Sequence, residues 1–335
     1  MESDLTLVYI FVPIVLVLLL LIFIRLFLQY RWGHCKSGES LKGKTYLITG
    51  ANSGIGFETG KALAERGARV IFACRNFDSA NEAIAVLRKT RKKQFGEMIA
   101  MQVDLSSLES IRSFVDTVKV GFTKIDVLIN NAGVAVPTRN GEKTKDGFEI
   151  NFGVNHLAPF LLTNMLLDRL EAAAPSRVVI VSSLLYKDGV VDFEDLNLTK
   201  KCEELQKNRR SREDPAYSNS KLMNVYFGKA LAERTKDRGI DVFILCPGFT
   251  YTNLFRHNLR WYHYIFLGPI FFFTMRSAKQ GAQTTLHCAT EPSIQGKSGT
   301  FYANCKVAEL QMKYSKETEQ RLWTASEDCI NSQMA

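Results

Sequence analysis

No Cys-x-x-Cys pair occurs in this chain, and its seven cysteines (35, 74, 202, 246, 288, 305 and 329) are scattered and odd in number. Neither a disulfide framework nor a zinc ribbon is indicated, and a reducing compartment fits. The five histidines form no metal-ligand cluster. His257 and His263 stand six apart among aromatics, too little for a metal site, so no metal is expected. There is no internal repeat. A net charge of +9 is accompanied by no nucleic-acid recognition motif. The basic clusters at 88–93 and 207–212 therefore read as solvated surface near anionic lipid, and no nucleic-acid partner is expected.

Basic residues are also missing ahead of the one long apolar run. Segment 5–28 is apolar except for Thr6, Tyr9, Pro13 and Arg25. It is long enough to span a bilayer. Glu2-Ser3-Asp4 precedes it where a cleaved signal would carry a basic region, and no small-x-small cleavage site follows. Arg25 can snorkel to the interface. Arg31, Lys36, Lys42 and Lys44 come after the run, so the positive-inside rule puts residue 29 onward in the cytosol. Asn197-Leu198-Thr199 is the only glycosylation sequon, and on that orientation it is never modified.

The whole chain of 335 residues allows ample core, with 46% apolar and 23% charged residues. Residues 29–43 read as a short polar linker. From residue 44, short apolar strands alternate with amphipathic helices, the pattern of a parallel sheet wrapped by helices. Strands are expected near 46–49, 70–73, 98–103, 127–129, 178–181, 242–245 and 300–302. Helices are expected near 55–66, 79–92, 108–121, 148–170, 217–238 and 278–289. The last 25 residues are polar, and no element is assigned to them. The expected fold is α/β, a doubly wound, Rossmann-type parallel sheet of about seven strands. It forms a single domain over 44–310, between a transmembrane anchor at 5–28 and a polar tail at 311–335.

The first strand runs into Thr49-Gly50-Ala51-Asn52-Ser53-Gly54-Ile55-Gly56, and a helix follows. Glycines there let backbone approach a pyrophosphate, and the helix N-terminus offers amides and positive dipole. The second strand ends Ala73-Cys74-Arg75 with no acid. An acid at that point bonds a ribose 2′-hydroxyl, whereas an arginine accommodates a 2′-phosphate, so NADP(H) is favoured over NAD.

Tyr217 and Lys221 stand four apart, on one face of a helix. An ammonium beside a phenol favours the phenolate, so the tyrosine pKa is expected to fall towards neutrality. The spacing occurs twice, since Tyr302 and Lys306 share it. Tyr302 lies on an expected strand, where the two side chains do not pair as on a helix. Pro159 has no N–H for the carbonyl of Asn155, four positions back, which leaves that carbonyl open to a water.

The spacing Gly-x-x-x-Gly-x-Gly resembles the short-chain dehydrogenase/reductase family over roughly residues 42–305. Other marks follow in order: Asp104-Leu105, Asn130-Asn131-Ala132-Gly133, Asn155, Ser182-Ser183, Tyr217-x-x-x-Lys221 and Pro247-Gly248. The resemblance implies a catalytic set of Asn155, Ser183, Tyr217 and Lys221. Ser183 is taken over its neighbour Ser182, although it stands 34 residues before Tyr217, with a charged insertion at 200–212 between them. It further implies a nucleotide held by Gly50, Asn52, Ser53, Gly54, Ile55, Gly56, Arg75, Asp104, Leu105, Asn131, Ala132, Gly133, Tyr217, Lys221, Pro247, Gly248 and Thr252. Asp104 has a plain alternative as a helix cap, and 130–133 as a mainly structural turn. An apolar lid is expected at 255–276, where eight aromatics fall within nineteen residues. Arg256, Arg260, His263, Gly268 and Pro269 make a second spanning helix improbable there.

The anchor, Ala73-Cys74-Arg75, Asn155-His156-Leu157 and the aromatic lid resemble the retinol dehydrogenase subgroup. This implies a membrane-anchored oxidoreductase acting on a lipophilic small molecule (retinoid, steroid or lipid aldehyde), with retinal and retinol as the leading pair. Membrane lipid is the implied partner, and a homodimer is one assembly left open. The expected membrane is the endoplasmic reticulum, with mitochondria and lipid droplets as alternatives. A non-catalytic, membrane-bound nucleotide-binding scaffold is the competing class.

Overall fold

The computed structural model describes residues 2–89, 95–208, 210–250 and 274–333. Thr252, the aromatic stretch 255–273 and most of the 88–93 basic cluster lie outside them. The first helix, α1 (Glu2–Arg31), is apolar nearly throughout. Its part Phe11–Arg31 has a mean hydropathy of 3.1, and it is long and apolar enough to cross a membrane. Side chains such as Leu16, Leu18, Phe23 and Phe27 are exposed along it, and among the described residues that span is not buried.

The sheet is built from β1 (Thr45–Thr49), β2 (Arg69–Cys74), β3 (Met98–Gln102), β4 (Val127–Asn130), β5 (Ser176–Val181), β6 (Ile240–Cys246), β7 (Thr300–Ala303) and β8 (Lys306–Val307). Their order is β3-β2-β1-β4-β5-β6-β7-β8. Pairing is parallel through β7, and the two-residue β8 returns antiparallel. β1, β5 and β6 are buried almost end to end because helices cover both faces, which explains their unbroken apolar runs. Alternate residues feed two cores. Leu47, Ile71, Leu128 and Ile180 face one side, and Ile48, Phe72, Ile129 and Val179 the other.

The helices are α2 (Gly54–Ala64), α3 (Phe77–Arg88), α4 (Leu108–Gly121), α5 (Ile150–Phe152), α6 (Ala158–Met165), α7 (Leu167–Glu171), α8 (Thr199–Lys207), α9 (Pro215–Arg234), α10 (Ala278–Thr290) and α11 (Lys316–Asn331). α4 shows why such boundaries can be read. Ser107 accepts a bond from the Ser110 N–H, and Leu108, Ile111, Val115 and Val118 repeat along one buried face.

Three regions differ from expectation. Residues 148–170 are not one helix. A π-turn at Gly153–Leu157 separates α5 from α6, with the Ala158 N–H bonding the Gly153 carbonyl five residues back. The polar 311–335 segment contains α11, whose Leu322, Trp323 and Ile330 enter the larger core. The 29–43 linker is a docked strap. The Cys35 N–H bonds Gln283 Oε1 at 3.1 Å, Ser37 Oγ bonds the Thr290 carbonyl at 3.2 Å, and the Leu41 N–H bonds the Arg66 carbonyl at 2.8 Å.

Chain order reverses between β1 and β4. The C-terminal ends of these adjacent strands diverge there into a crevice, the place where an open α/β sheet binds ligands.

Candidate active site

The glycine loop leaves β1 at this crevice. Gly50 has φ +66 and Gly54 φ +57, backbone that side-chain-bearing residues rarely adopt. A Cβ on Gly56 would sit 2.4 Å from the Gly50 carbonyl oxygen and 2.5 Å from Asn131 Nδ2, so only glycine lets α2 start this close. Ser53 occupies the N-cap of α2 without a side-chain bond, and the first turn carries no acid. These first-turn amides suit a phosphate, and the loop fits a dinucleotide. Ile55 packs beside Gly281 of α10.

Asn131 holds the other lip. Its Nδ2 donates to the Thr49 carbonyl at 2.8 Å, and Thr49 Oγ1 accepts from the Asn131 and Ala132 N–H groups at 3.1 and 3.0 Å. Arg75 is exposed one residue beyond Cys74, whose thiol is hydrogen-bonded by the Ala51 and Asn52 backbone. That places the C-terminal end of β2, with Arg75 next in the chain, against the glycine loop. Asp104 Oδ1 accepts from the Ser106 N–H and hydroxyl, and its Oδ2 lies 3.0 Å from Lys145 Nζ. Burial pushes its carboxyl up, but these bonds outweigh burial and hold it below the ordinary range. Asp104 thus ties the turn leading into α4, while the cap itself is Ser107. Leu105 packs on the core.

On the β5–β6 side, Ser183 follows β5 and accepts a bond from the Leu185 N–H. Its hydroxyl also hydrogen-bonds Tyr217 on α9. Ser182 Oγ is turned away and donates to the Lys221 carbonyl at 2.8 Å. The 33 residues between them include a 3-10 turn (Leu184–Asp188) and α8, and Ser183 and Tyr217 remain in reach of each other.

Lys221 is buried, with Nζ 3.1 Å from the Val181 carbonyl and 5.6 Å from the Tyr217 ring centroid. Burial pushes its ammonium down to about 8. The expected lowering of Tyr217 is not found. Burial pushes the phenol up to about 12, against the opposing bond from Ser183. The ammonium is bonded to a backbone carbonyl, so desolvation of the phenolate wins.

Asn155 lies within the π-turn and is almost fully buried. Its Oδ1 accepts from the Val134 N–H at 2.8 Å. Its Nδ2 donates to the Val134 carbonyl and to Ser220 Oγ, each at 2.9 Å. Ser220 Oγ in turn donates to the Tyr217 carbonyl at 2.8 Å. A Cβ on Gly133 would meet Asn155 Oδ1 at 3.2 Å and Lys221 Nζ at 3.3 Å, so these two polar groups converge over one glycine. The widened ladder at Asn155 agrees with a proline at 159 disturbing regular helix. Ser220, on the same helical turn as Tyr217, is a linking residue that spacing alone did not single out.

Pro247 and Gly248 follow β6, and Arg276 closes on them. Arg276 Nη1 bonds the Pro247 carbonyl at 3.0 Å, and a Cβ on Gly248 would lie 2.5 Å from its guanidinium. The second Tyr-x-x-x-Lys pair falls apart, with Tyr302 on β7 and Lys306 across the turn on β8. Among the described residues, no group of His, Cys, Asp and Glu is placed to hold a metal ion.

A loop for a dinucleotide, and a serine, tyrosine, lysine and asparagine gathered beyond the next strands, define a nucleotide-dependent dehydrogenase. The chain belongs to the short chain dehydrogenase family, whose model matches residues 44–194. It is 41% identical over 306 residues to human retinol dehydrogenase 14, covering 86% of each chain. It is 38% identical over 295 residues to human retinol dehydrogenase 12, covering 88% of each. Among solved structures, a Mycobacterium paratuberculosis protein is 33% identical with a TM-score of 0.64, covering 88% of this chain and 95% of that one. The Pseudomonas aeruginosa RhlG–NADP complex shares the fold at 22% identity and a TM-score of 0.58, covering 78% and 94%. The family binds a nicotinamide cofactor.

Proposed function

We propose that this chain is a membrane-anchored, NADP(H)-dependent oxidoreductase that interconverts a lipophilic aldehyde or ketone and its alcohol, with retinal and retinol as the first pair. The observation that carries the reading is the convergence of Ser183, Tyr217, Lys221 and Asn155 beside the glycine loop. The relatives named retinol dehydrogenase direct it to retinoids.

A bound nicotinamide nucleotide supplies hydride transfer. The glycine loop, with Asn131, Ala132 and Gly133 opposite, would hold it, and Arg75 would face a 2′-phosphate. The protein's own part is proton handling. The Ser183 hydroxyl, hydrogen-bonded to Tyr217 here, would turn to donate to a carbonyl oxygen and stabilise charge developing there. Tyr217, kept protonated to about pH 12, is a loaded acid for that oxygen. Lys221, with its ammonium down near 8, can return a proton to the phenolate that Tyr217 becomes on donating, and Asn155 positions the route behind it. A loaded phenol suits reduction.

Arg31, Lys36, Lys42 and Lys44 follow the anchor, which supports a cytosol-facing domain on a single-pass helix, in the endoplasmic reticulum by preference. The test is a panel of retinoids, steroids and alkyl aldehydes with NADPH and NADH on the detergent-solubilised protein. NADPH-dependent reduction of retinal is expected, and Tyr217→Phe should abolish it while NADPH binding persists. No turnover of retinal or any apolar aldehyde would overturn the proposal.

A further inference from the structure

Trp32 is the first residue beyond α1. Its N–H bonds back to the Leu28 and Gln29 carbonyls at 3.0 and 3.3 Å, so the last turn of the apolar helix sets its place. Nearby Tyr30 is 89% exposed, whereas Trp32 is 8% exposed. Two guanidiniums contact the indole, with Arg25 4.9 Å and Arg276 5.2 Å from its ring centroid. Arg25 also donates to the Met275 carbonyl at 2.5 Å. Arg276 is itself buried, bonded to the Pro247 carbonyl and to Asn304 Oδ1.

The chain after Trp32 is fixed as firmly. A Cβ on Gly33 would lie 1.8 Å from the Asn304 carbonyl oxygen, so the strap passes directly against the β7–β8 turn. Trp32 also lines a cavity of about 240 Å³ together with Leu184, Cys246, Phe249 and Arg276. Leu184 is the neighbour of Ser183. The Cys246 thiol is an electrostatic neighbour of both Tyr217 and Lys221. The exit of the anchor therefore forms one wall of a space that opens beside the reacting groups.

We propose that Trp32 is a substrate-positioning residue, with Arg276 holding its indole against the apolar body of a membrane-borne substrate. The anchor thereby contributes a side chain to substrate selection as well as a tether. A flat, rigid indole suits this task, because the part that lines the cavity is held with little rotamer freedom to lose. The proposal rests on the function given above.

The test uses the full chain in detergent with Trp32→Ala and Trp32→Phe. For retinal, Trp32→Ala should raise KM by about tenfold or more with kcat held within about threefold. For butanal, too short to reach the wall, the loss in kcat/KM should be at least about fivefold smaller. Trp32→Phe should restore most of the retinal KM. Equal losses on both aldehydes, or no loss on retinal, would overturn the proposal. Quenching of tryptophan fluorescence by retinal gives a second reading, independent of turnover. The protein has three tryptophans, and Trp32→Phe should remove the largest share of the quenching. Undiminished quenching, or none in the wild type, counts against Trp32. Quenching by Trp32 without turnover would refute the enzymatic reading and leave the wall in place.

Discussion

Lys221→Met separates what the buried ammonium does for the reaction from what it does to the fold. Burial takes the Lys221 ammonium from an ordinary 10.5 to about 8. At about 1.4 kcal/mol per tenfold change in acidity, keeping it charged in the folded protein costs on the order of 3 kcal/mol. The group is buried, so solvent screening discounts little of this. The sign follows from proton counts. Between about pH 8 and 10.5 the unfolded chain keeps the proton that the folded chain has lost, so stability rises with pH across that window. Above pH 10 Tyr217 works the other way, because its folded value near 12 lies above the ordinary 10 and the unfolded chain ionises first. Methionine fills similar volume and carries no charge, so Lys221→Met should remove the rise. The assay is the thermal midpoint of detergent-solubilised protein without nucleotide, for wild type and variant, from pH 7 to 10. The variant should melt several degrees higher at pH 7, with the gap closing by about pH 10. The same substitution should lower turnover about 10²- to 10⁴-fold. A gap independent of pH would refute the argument, because it would mean that the ammonium is not held against its solvation.

Arg75→Glu should move the NADPH-over-NADH preference in kcat/KM by about tenfold to a hundredfold towards NADH, read by steady-state kinetics with both nucleotides. An unchanged ratio would place the 2′-phosphate elsewhere. Gly33→Ala should lower the thermal midpoint, since its methyl group meets the Asn304 carbonyl oxygen and such overpacking costs about 1–3 kcal/mol. Asn197 should carry no glycan in secretory-competent cells, so glycosidase treatment should leave electrophoretic mobility unchanged. A shift would reverse the orientation across the membrane.

The parallel sheet was legible because burial on both faces forces unbroken apolar strands such as Val178-Val179-Ile180-Val181. The glycine loop was legible because positive-φ backbone and close approach select one residue type. Local signals failed where the decisive partner is distant. α11 is polar by composition, and only its docking against Phe160 and Phe227 makes Trp323 a core residue. The π-turn escaped the periodic pattern, although Pro159 marked the spot. The Tyr217 pKa was misjudged for a related reason. A four-residue spacing says which side chains share a face, but not that Lys221 spends its ammonium on Val181. The Trp32–Arg276 contact joins positions 244 apart, and no sequence pattern announces it.

The docked strap has a kinetic meaning. On the proposed membrane-anchored reading, a domain bolted to the exit of its own anchor cannot swing away from the bilayer, so its mouth stays at one height over the leaflet. Substrate dissolved in lipid then arrives by lateral diffusion in two dimensions. The quantity that sets the encounter rate is moles of substrate per mole of lipid. Empty vesicles that fuse and exchange with the enzyme's membrane should slow turnover by surface dilution, even while the substrate concentration in the whole sample stays constant.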